Sequence, residues 1–389
     1  MLWKQIFSLA LLFSFLNGEE TNVVIATIGV GDTPAGIAIT PDSLYAYVAN
    51  NNNDSLPGGN TVSVLNLTYN TLQQTISHSS FNEPYTVSIN PAGTKAYVTN
   101  SGGSTVTLID LATNTVTGTI TGFDGPSGFA ITPDGNYAYV NNYGAAGGAG
   151  SGNGTTIRVV NLNTNSIVGS ALTVGQAPAA LAITPDGSKV YVVSYVDGNL
   201  GTGTISIIHT SNNSVQLNAI TGLSGPFAIA ITPDGKYAYV TNFGSNNFSP
   251  VGTTVSVIDL SSNTIVSTIL LGIQPSGIAI TPDGSFAYVS NYSTLYNGMG
   301  FTDLTSAQGT VDIIDIQTNT VISPIIGVGL APDAIAISPN GQFAYVTNYA
   351  SNTVSVIRLP STLYNIQRLR PHYNLQRDET MTKLNQAGL

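Results

Sequence analysis

The segment "ITPDGKYAYVTN", residues 231–242, recurs with small changes seven times along the chain, and no other feature limits the possible folds so sharply. Aligned on the proline that opens each unit (Pro34, Pro84, Pro126, Pro178, Pro226, Pro275 and Pro332), the repeats are spaced 42 to 57 residues apart. Each holds a short apolar run such as "GIAI" or "FAIAI", the turn "TPDG", the run "YAYV" and a loop of variable length. "TVSVIDL", a turn ending in Asn-Thr and a last run such as "TVTGTI" complete it. These are four strand signals, alternating and rich in Val, Ile, Tyr and Thr, cut by Gly, Pro, Asn and Asp. Such a unit cannot bury both faces of its sheet alone, whereas seven in a circle can. The pattern predicts an all-β chain, a seven-bladed β-propeller with four antiparallel strands per blade.

The ends of the repeat region predict how the ring closes. The seventh unit stops at "TVSVIRL" before Pro360 and lacks a fourth strand, while "TNVVIATIGVG", residues 21–31, matches "TNTVISPIIGVG", residues 318–329. The first of these segments is therefore expected to be the outer strand of the last blade, closing the ring so that no edge is left open. "TLYNIQ", 362–367, competes for that place but lacks the Ile-Gly-Val-Gly ending. Strand one, nearest the axis, alternates small and large residues, as in Gly36, Ile37, Ala38 and Ile39. Strand two, where the wedge between blades widens, carries aromatics such as Tyr45 and Tyr47 or Tyr237 and Tyr239.

"YAYVTN" and "TVSVIDL" resemble the hallmark segments of the YVTN-type (40-residue repeat) β-propeller family, and the likeness covers residues 21–359. The resemblance implies the propeller fold. It is broad in function, because related propellers serve as surface-layer components, periplasmic binding proteins, enzyme subunits and, more distantly, lactonases. Departures are local: "AYVAN" in the first unit, "VYVVSY" and "SIIHT" in the fourth.

Composition removes several functional classes. Only 8% of residues are charged, against about 25% in an average soluble domain. Residues 19–360 carry eighteen acids and five bases, and residues 361–389 two acids and four bases. An acidic body repels phosphate, so no nucleic-acid partner is expected. Cysteine is absent, which excludes disulfides, thiolate metal sites and cysteine nucleophiles. Residues 1–18, with Lys4 followed by the eleven-residue apolar run "IFSLALLFSFL", read as a signal peptide, since spanning a bilayer takes about 20 apolar residues. An uncleaved anchor is the alternative. Export to the periplasm, cell surface or medium follows, with no membrane insertion after cleavage. Residues 19–360 are then the propeller, and 361–389 a basic tail, partly disordered or with a short helix around 363–369 before Pro371.

Most acids read as structural. In "TPDG" the proline presets the second turn position, and aspartate bonds nearby backbone. "NPAG", 90–93, and "SPNG", 338–341, keep the turn without the acid, so Asp42, Asp134, Asp186, Asp234 and Asp283 are turn residues rather than ligands. Asp110, Asp259 and Asp315 serve the other tight turn. His78, His209 and His372 lie apart, with no metal-site spacing. The glycine-rich run 144–154 lacks the lysine and helix of a phosphate cradle. Strand one of every blade, which lines the channel, is read as carrying no ionisable side chain, which weakens an enzyme reading. The nearest carboxylates, at the channel mouth, are Asp32, Glu83, Asp124 and Asp333, and their spread over four blades argues against shared calcium. No cofactor, metal or catalytic residue is assigned.

Every long insertion (50–60, 142–155, 194–203, 242–253 and 291–309) falls on the face that carries the links from strand two to three and between blades. An aromatic recurs at the entrance to these loops: Tyr143, Tyr195, Phe243, Tyr292 and Tyr349, with Asn51 and Ser101 breaking the series. The loops add Phe248, Tyr296, Met299 and Phe301. Either each ring covers its own blade, or together they form a recognition surface for a protein or glycan. Three functions compete: a secreted non-enzymatic binding module using this face, a lactonase-like hydrolase at the channel mouth, and a surface-layer or envelope structural protein.

Overall fold

The computed structural model describes residues 20–51, 60–144, 153–195, 203–244, 251–292 and 308–360. They form seven four-stranded antiparallel sheets, and the strands of each sheet follow one another in sequence in six of the seven. The first strand of each blade starts at the aligned proline, from Pro34–Ile39 in blade 1 to Pro332–Ile337 in blade 7. These first strands pack one against the next around the ring, and that of blade 7 packs against that of blade 1. The protein is a seven-bladed β-propeller.

The closing strand is the expected N-terminal one. Val23–Gly29 pairs antiparallel with Thr353–Arg358, running from Val23 opposite Arg358 to Gly29 opposite Thr353. The competing segment 362–367, like residues 1–19 and the tail 361–389, lies outside the described residues.

Close approach at the axis explains the small residues there. A Cβ on Gly36 would lie 2.5 Å from the Tyr85 carbonyl oxygen of the next blade, and one on Gly277 would lie 2.7 Å from that of Asp333. Further out, the tyrosine before the valine of each "YV" is fully buried, and in blades 1, 3, 4, 5 and 6 its hydroxyl donates to an asparagine of the following blade. Tyr139 reaches Asn213 at 2.6 Å, Tyr191 reaches Asn263 at 2.8 Å, and Tyr239 reaches Asn319 at 2.6 Å. Tyr288 of blade 6 reaches Asn22 at 2.7 Å, so the N-terminal segment takes the place an ordinary turn holds elsewhere. Each accepting asparagine has φ between 54° and 59°, a region this side chain tolerates better than most. A bond of this kind contributes about 1 kcal/mol net.

The "TPDG" aspartates are turn residues. Asp234 Oδ1 accepts from Thr232 Oγ1 at 2.6 Å and from the Lys236 amide at 3.1 Å. The same pair of bonds recurs at Asp42, Asp134, Asp186 and Asp283. Asn340 replaces the acid in blade 7, and in blade 2 Asn90 takes over by bonding the Thr94 and Lys95 amides. The threonine hydroxyl bond leads the causes that hold the carboxyls of Asp134, Asp186 and Asp234 below their ordinary range.

Candidate functional site

The channel mouth on the long-loop face is built by one backbone device repeated seven times. The residue before each opening proline has a left-handed φ: Thr33, Glu83, Gly125, Ala177, Gly225, Gln274 and Ala331 lie between 49° and 54°. Residues with side chains seldom adopt that region, and β-branched Thr33 least of all. The constraint that holds them is visible. Each of their carbonyls accepts from the amide of the residue that follows the "YAYVTN" segment, at 2.9 to 3.1 Å. Those donors are Asn51, Ser101, Tyr143, Tyr195, Phe243, Tyr292 and Tyr349. All seven entrance positions are thus pinned beside the axis.

The pinned rings come together. Tyr143 and Tyr195 line a cavity of about 390 Å³ at the centre of the ring, together with residues from all seven first strands. Phe243 lies 5.4 Å from Phe227 and 6.0 Å from Tyr292, ring centre to ring centre. Tyr195 is 3% exposed and donates its hydroxyl to the Gly244 carbonyl of the next blade at 2.9 Å, so this ring ties two blades together. Tyr143, Phe243, Tyr292 and Tyr349 are half-buried. In blades 1 and 2 the small Asn51 and Ser101 line the cavity instead, which opens the aromatic series on that side. Phe248, Tyr296 and Phe301 lie outside the described residues.

The four mouth carboxylates separate into two pairs. Glu83 and Asp333 line the cavity; Asp32 and Asp124 do not. Asp32 accepts from Asn352 Nδ2 at 2.8 Å, and the Asp124 amide donates to Asn142 Oδ1 at 3.0 Å. Among the described residues no three of His, Asp and Glu gather into a group that could hold a metal ion.

One expectation is corrected. The first strands do carry ionisable side chains: Asp333 is the second residue of Pro332–Ile337, and Tyr85 the second of Pro84–Ile89. The strands begin at the aligned prolines, two residues before apolar runs such as Gly36–Ile39 and Ala334–Ile337, which brings the residue after each proline into the first strand. Burial pushes the Asp333 carboxyl up to about 6 and raises that of Glu83. Burial also raises the Tyr85 hydroxyl, helped by the charge of Asp333 and by Tyr143, Tyr349 and Tyr292. Tyr292 is raised by burial and then by Asp333 and Tyr349. Glu83, Tyr85, Tyr143 and Asp333 all line the one cavity.

Sequence reasoning missed Tyr85 and Phe227. The signal was present: the residues after the seven prolines are Ala35, Tyr85, Ser127, Ala179, Phe227, Ser276 and Asp333, four small and three large at a position where crowding favours small.

Fold and site together define a propeller with an aromatic, acidic channel mouth. The family model described as "Lactonase, 7-bladed beta-propeller" matches residues 196–381, which is 186 of the 389. The chain is 31% identical over 173 residues to the seven-bladed beta-propeller protein Rv1057 of Mycobacterium tuberculosis, covering 43% of this chain and 39% of that protein. It is 58% identical over 59 residues to the PE-PGRS family protein PE_PGRS18 of the same organism, 15% of this chain and 13% of the relative. The chain thus spans well under half the length of either relative. Among solved structures, hydrazine synthase of Kuenenia stuttgartiensis superposes with a TM-score of 0.69 at 21% identity, over 84% of this chain and 96% of that one. That likeness is one of fold.

Proposed function

We propose that this chain is an exported, non-enzymatic binding protein built from YVTN-type repeats, which recognises a protein or glycan through its long-loop face and seats it at the channel mouth. One observation carries the reading. The backbone pins seven equivalent positions by the same hydrogen bond, and Asn51 and Ser101 satisfy it as well as an aromatic does. The fold therefore does not require rings there, yet five of the seven positions have one. Aromatic area on a half-buried rim beside a cavity is the composition of a recognition surface. The test is a Tyr143→Ala/Tyr292→Ala double variant, with capture of the native partner measured beside thermal unfolding. Capture should fall at least tenfold with folding retained; unchanged capture would remove this face from the function.

A second reading rests on Asp333. A carboxyl raised to about 6, sharing a cavity with Glu83, suits proton transfer near neutral pH. The lactonase-type family model also covers Asp333. A hydrolase of this kind would open cyclic esters and lose turnover on Asp333→Asn or Glu83→Gln. Acid release from a panel of lactones, followed by pH-stat, decides between the two readings.

A further inference from the structure

The chemistry of the mouth is one-sided. Tyr85, Tyr143, Tyr195 and Phe227 present aromatic surface to the cavity, and Glu83 and Asp333 present carboxylates. No Lys, Arg or His is among the described residues that line it. The described cations are placed elsewhere by the topology. Lys95 and Lys189 begin second strands, Lys236 immediately precedes one, and Arg358 ends a third strand. All four therefore lie on the opposite, short-turn face. Arg158 sits in the middle of Thr156–Asn161, opposite Val140 in the sheet, and does not line the cavity.

A ring face carries partial negative charge and attracts a cation within about 6 Å of its centre, most strongly where water is excluded. A carboxylate partly removed from water is stabilised by a neighbouring positive charge. Both features ask for the same ligand. A neutral sugar could stack on the rings, but it would leave two carboxylates in a confined cavity without a countercharge. A volume near 390 Å³ is at the small end of ligand cavities, which fits a compact molecule rather than a chain of sugars.

We propose that the channel mouth binds a small organic cation, an alkylated or quaternary ammonium, with its charge over the Tyr85, Tyr143 and Phe227 rings and beside the Asp333 and Glu83 carboxylates. This rests on the binding function proposed above and names the chemistry of the partner's group that the mouth would take. Burial alone raises the Asp333 carboxyl, with no cation offsetting it, and a bound ammonium would supply the missing charge. The titratable side chains that share the cavity with Asp333 are Glu83 and the hydroxyls of Tyr85, Tyr143 and Tyr195, and Tyr292 lies near enough to feel its charge. Two of these phenols, Tyr85 and Tyr292, are raised and stay neutral near neutral pH. Ser276 and Ala35 hold the equivalent places in the adjoining blades and do not titrate.

The test is calorimetric titration of the full chain at pH 7.5 with choline, its neutral carbon isostere 3,3-dimethylbutan-1-ol, and glucose. Choline should bind saturably and at least tenfold more tightly than the isostere. Asp333→Asn should weaken choline at least tenfold and leave the isostere unchanged. Lowering the pH from 7.5 to 5 should weaken choline about tenfold as Asp333 takes up its proton. Equal affinity for choline and isostere overturns the cation assignment. Saturable glucose or isostere binding, lost on Tyr143→Ala and without choline binding, overturns it too but leaves the binding function standing. No saturable binding of any of the three overturns the cation, while capture of the native partner by the unaltered chain still judges the broader reading separately.

Discussion

On the short-turn face, Asp42, Asp134, Asp186, Asp234 and Asp283 stand at one place in one hydrogen-bonded turn. At the channel mouth, the residues after the opening prolines are Ala35, Tyr85, Ser127, Ala179, Phe227, Ser276 and Asp333. Both faces come from the same seven repeats. On the first, the side chain completes the turn, so its identity is fixed within narrow limits. On the second, backbone-to-backbone bonds hold the geometry, and the side chains are released to differ. On the short-turn face a repeated side chain completes the turn. At the mouth a repeated backbone carries side chains that vary after the prolines and an aromatic series, broken at Asn51 and Ser101, at the entrances. Asp234 and Asp333 are the clearest pair: one carboxyl is held low by bonds to Thr232 and Lys236, the other is pushed up by burial.

The contrast can be attacked at its foundation, because both faces exist only if the ring is closed. Removing residues 20–30 takes away the outer strand of blade 7 and the Asn22 acceptor of Tyr288, and should abolish a single cooperative unfolding transition in urea. Retention of full cooperativity would mean that closure does not depend on this strand. Next in size is the axis itself. Gly36→Ala should cost about 1–3 kcal/mol, since its new methyl meets the Tyr85 carbonyl of the next blade. Gly118→Ala, where nothing lies within 4 Å, should be close to neutral in the same denaturation series.

The tyrosines sharpen the comparison further. Tyr239→Phe removes the hydroxyl bonded to Asn319 and should cost about 1–2 kcal/mol, whereas Tyr292→Phe at the mouth should change stability by less than about 0.5 kcal/mol. The smallest effects, of opposite sign, concern the two aspartates. Asp234→Ala should destabilise by about 1 kcal/mol, and Asp333→Asn should stabilise by about 1 kcal/mol at pH 8. The pH dependence gives the sign directly. A carboxyl raised from 3.8 to about 6 on folding binds its proton more tightly in the native state. Relative to Asp333→Asn, the native chain should therefore lose stability as pH rises through about 4 to 6, and remain at the lower level above that. A difference that runs the other way would show that Asp333 is paired with a positive group.

Much of this fold was legible because its signals are local and repeated. The "TPDG" turn, the four alternating runs and the match of 21–31 to 318–329 each follow from backbone preference and side-chain alternation. The aromatic entrance positions were also visible, as a series broken at Asn51 and Ser101. What could not be read was which groups share the cavity. Asp32, Glu83, Asp124 and Asp333 look alike along the chain, yet only Glu83 and Asp333 reach it.

The sequence by itself determined the number of blades, the strand that closes them and the face that carries the long loops. These depend on periodicity and on turns a few residues long, where neighbours along the chain decide the outcome. Only the tertiary structure decided that Tyr85, Phe227 and Asp333 stand together with the pinned rings. Their nearness arises from first strands packed around an axis, up to 248 residues apart between Tyr85 and Asp333, and the burial that raises both groups exists nowhere but in the closed ring.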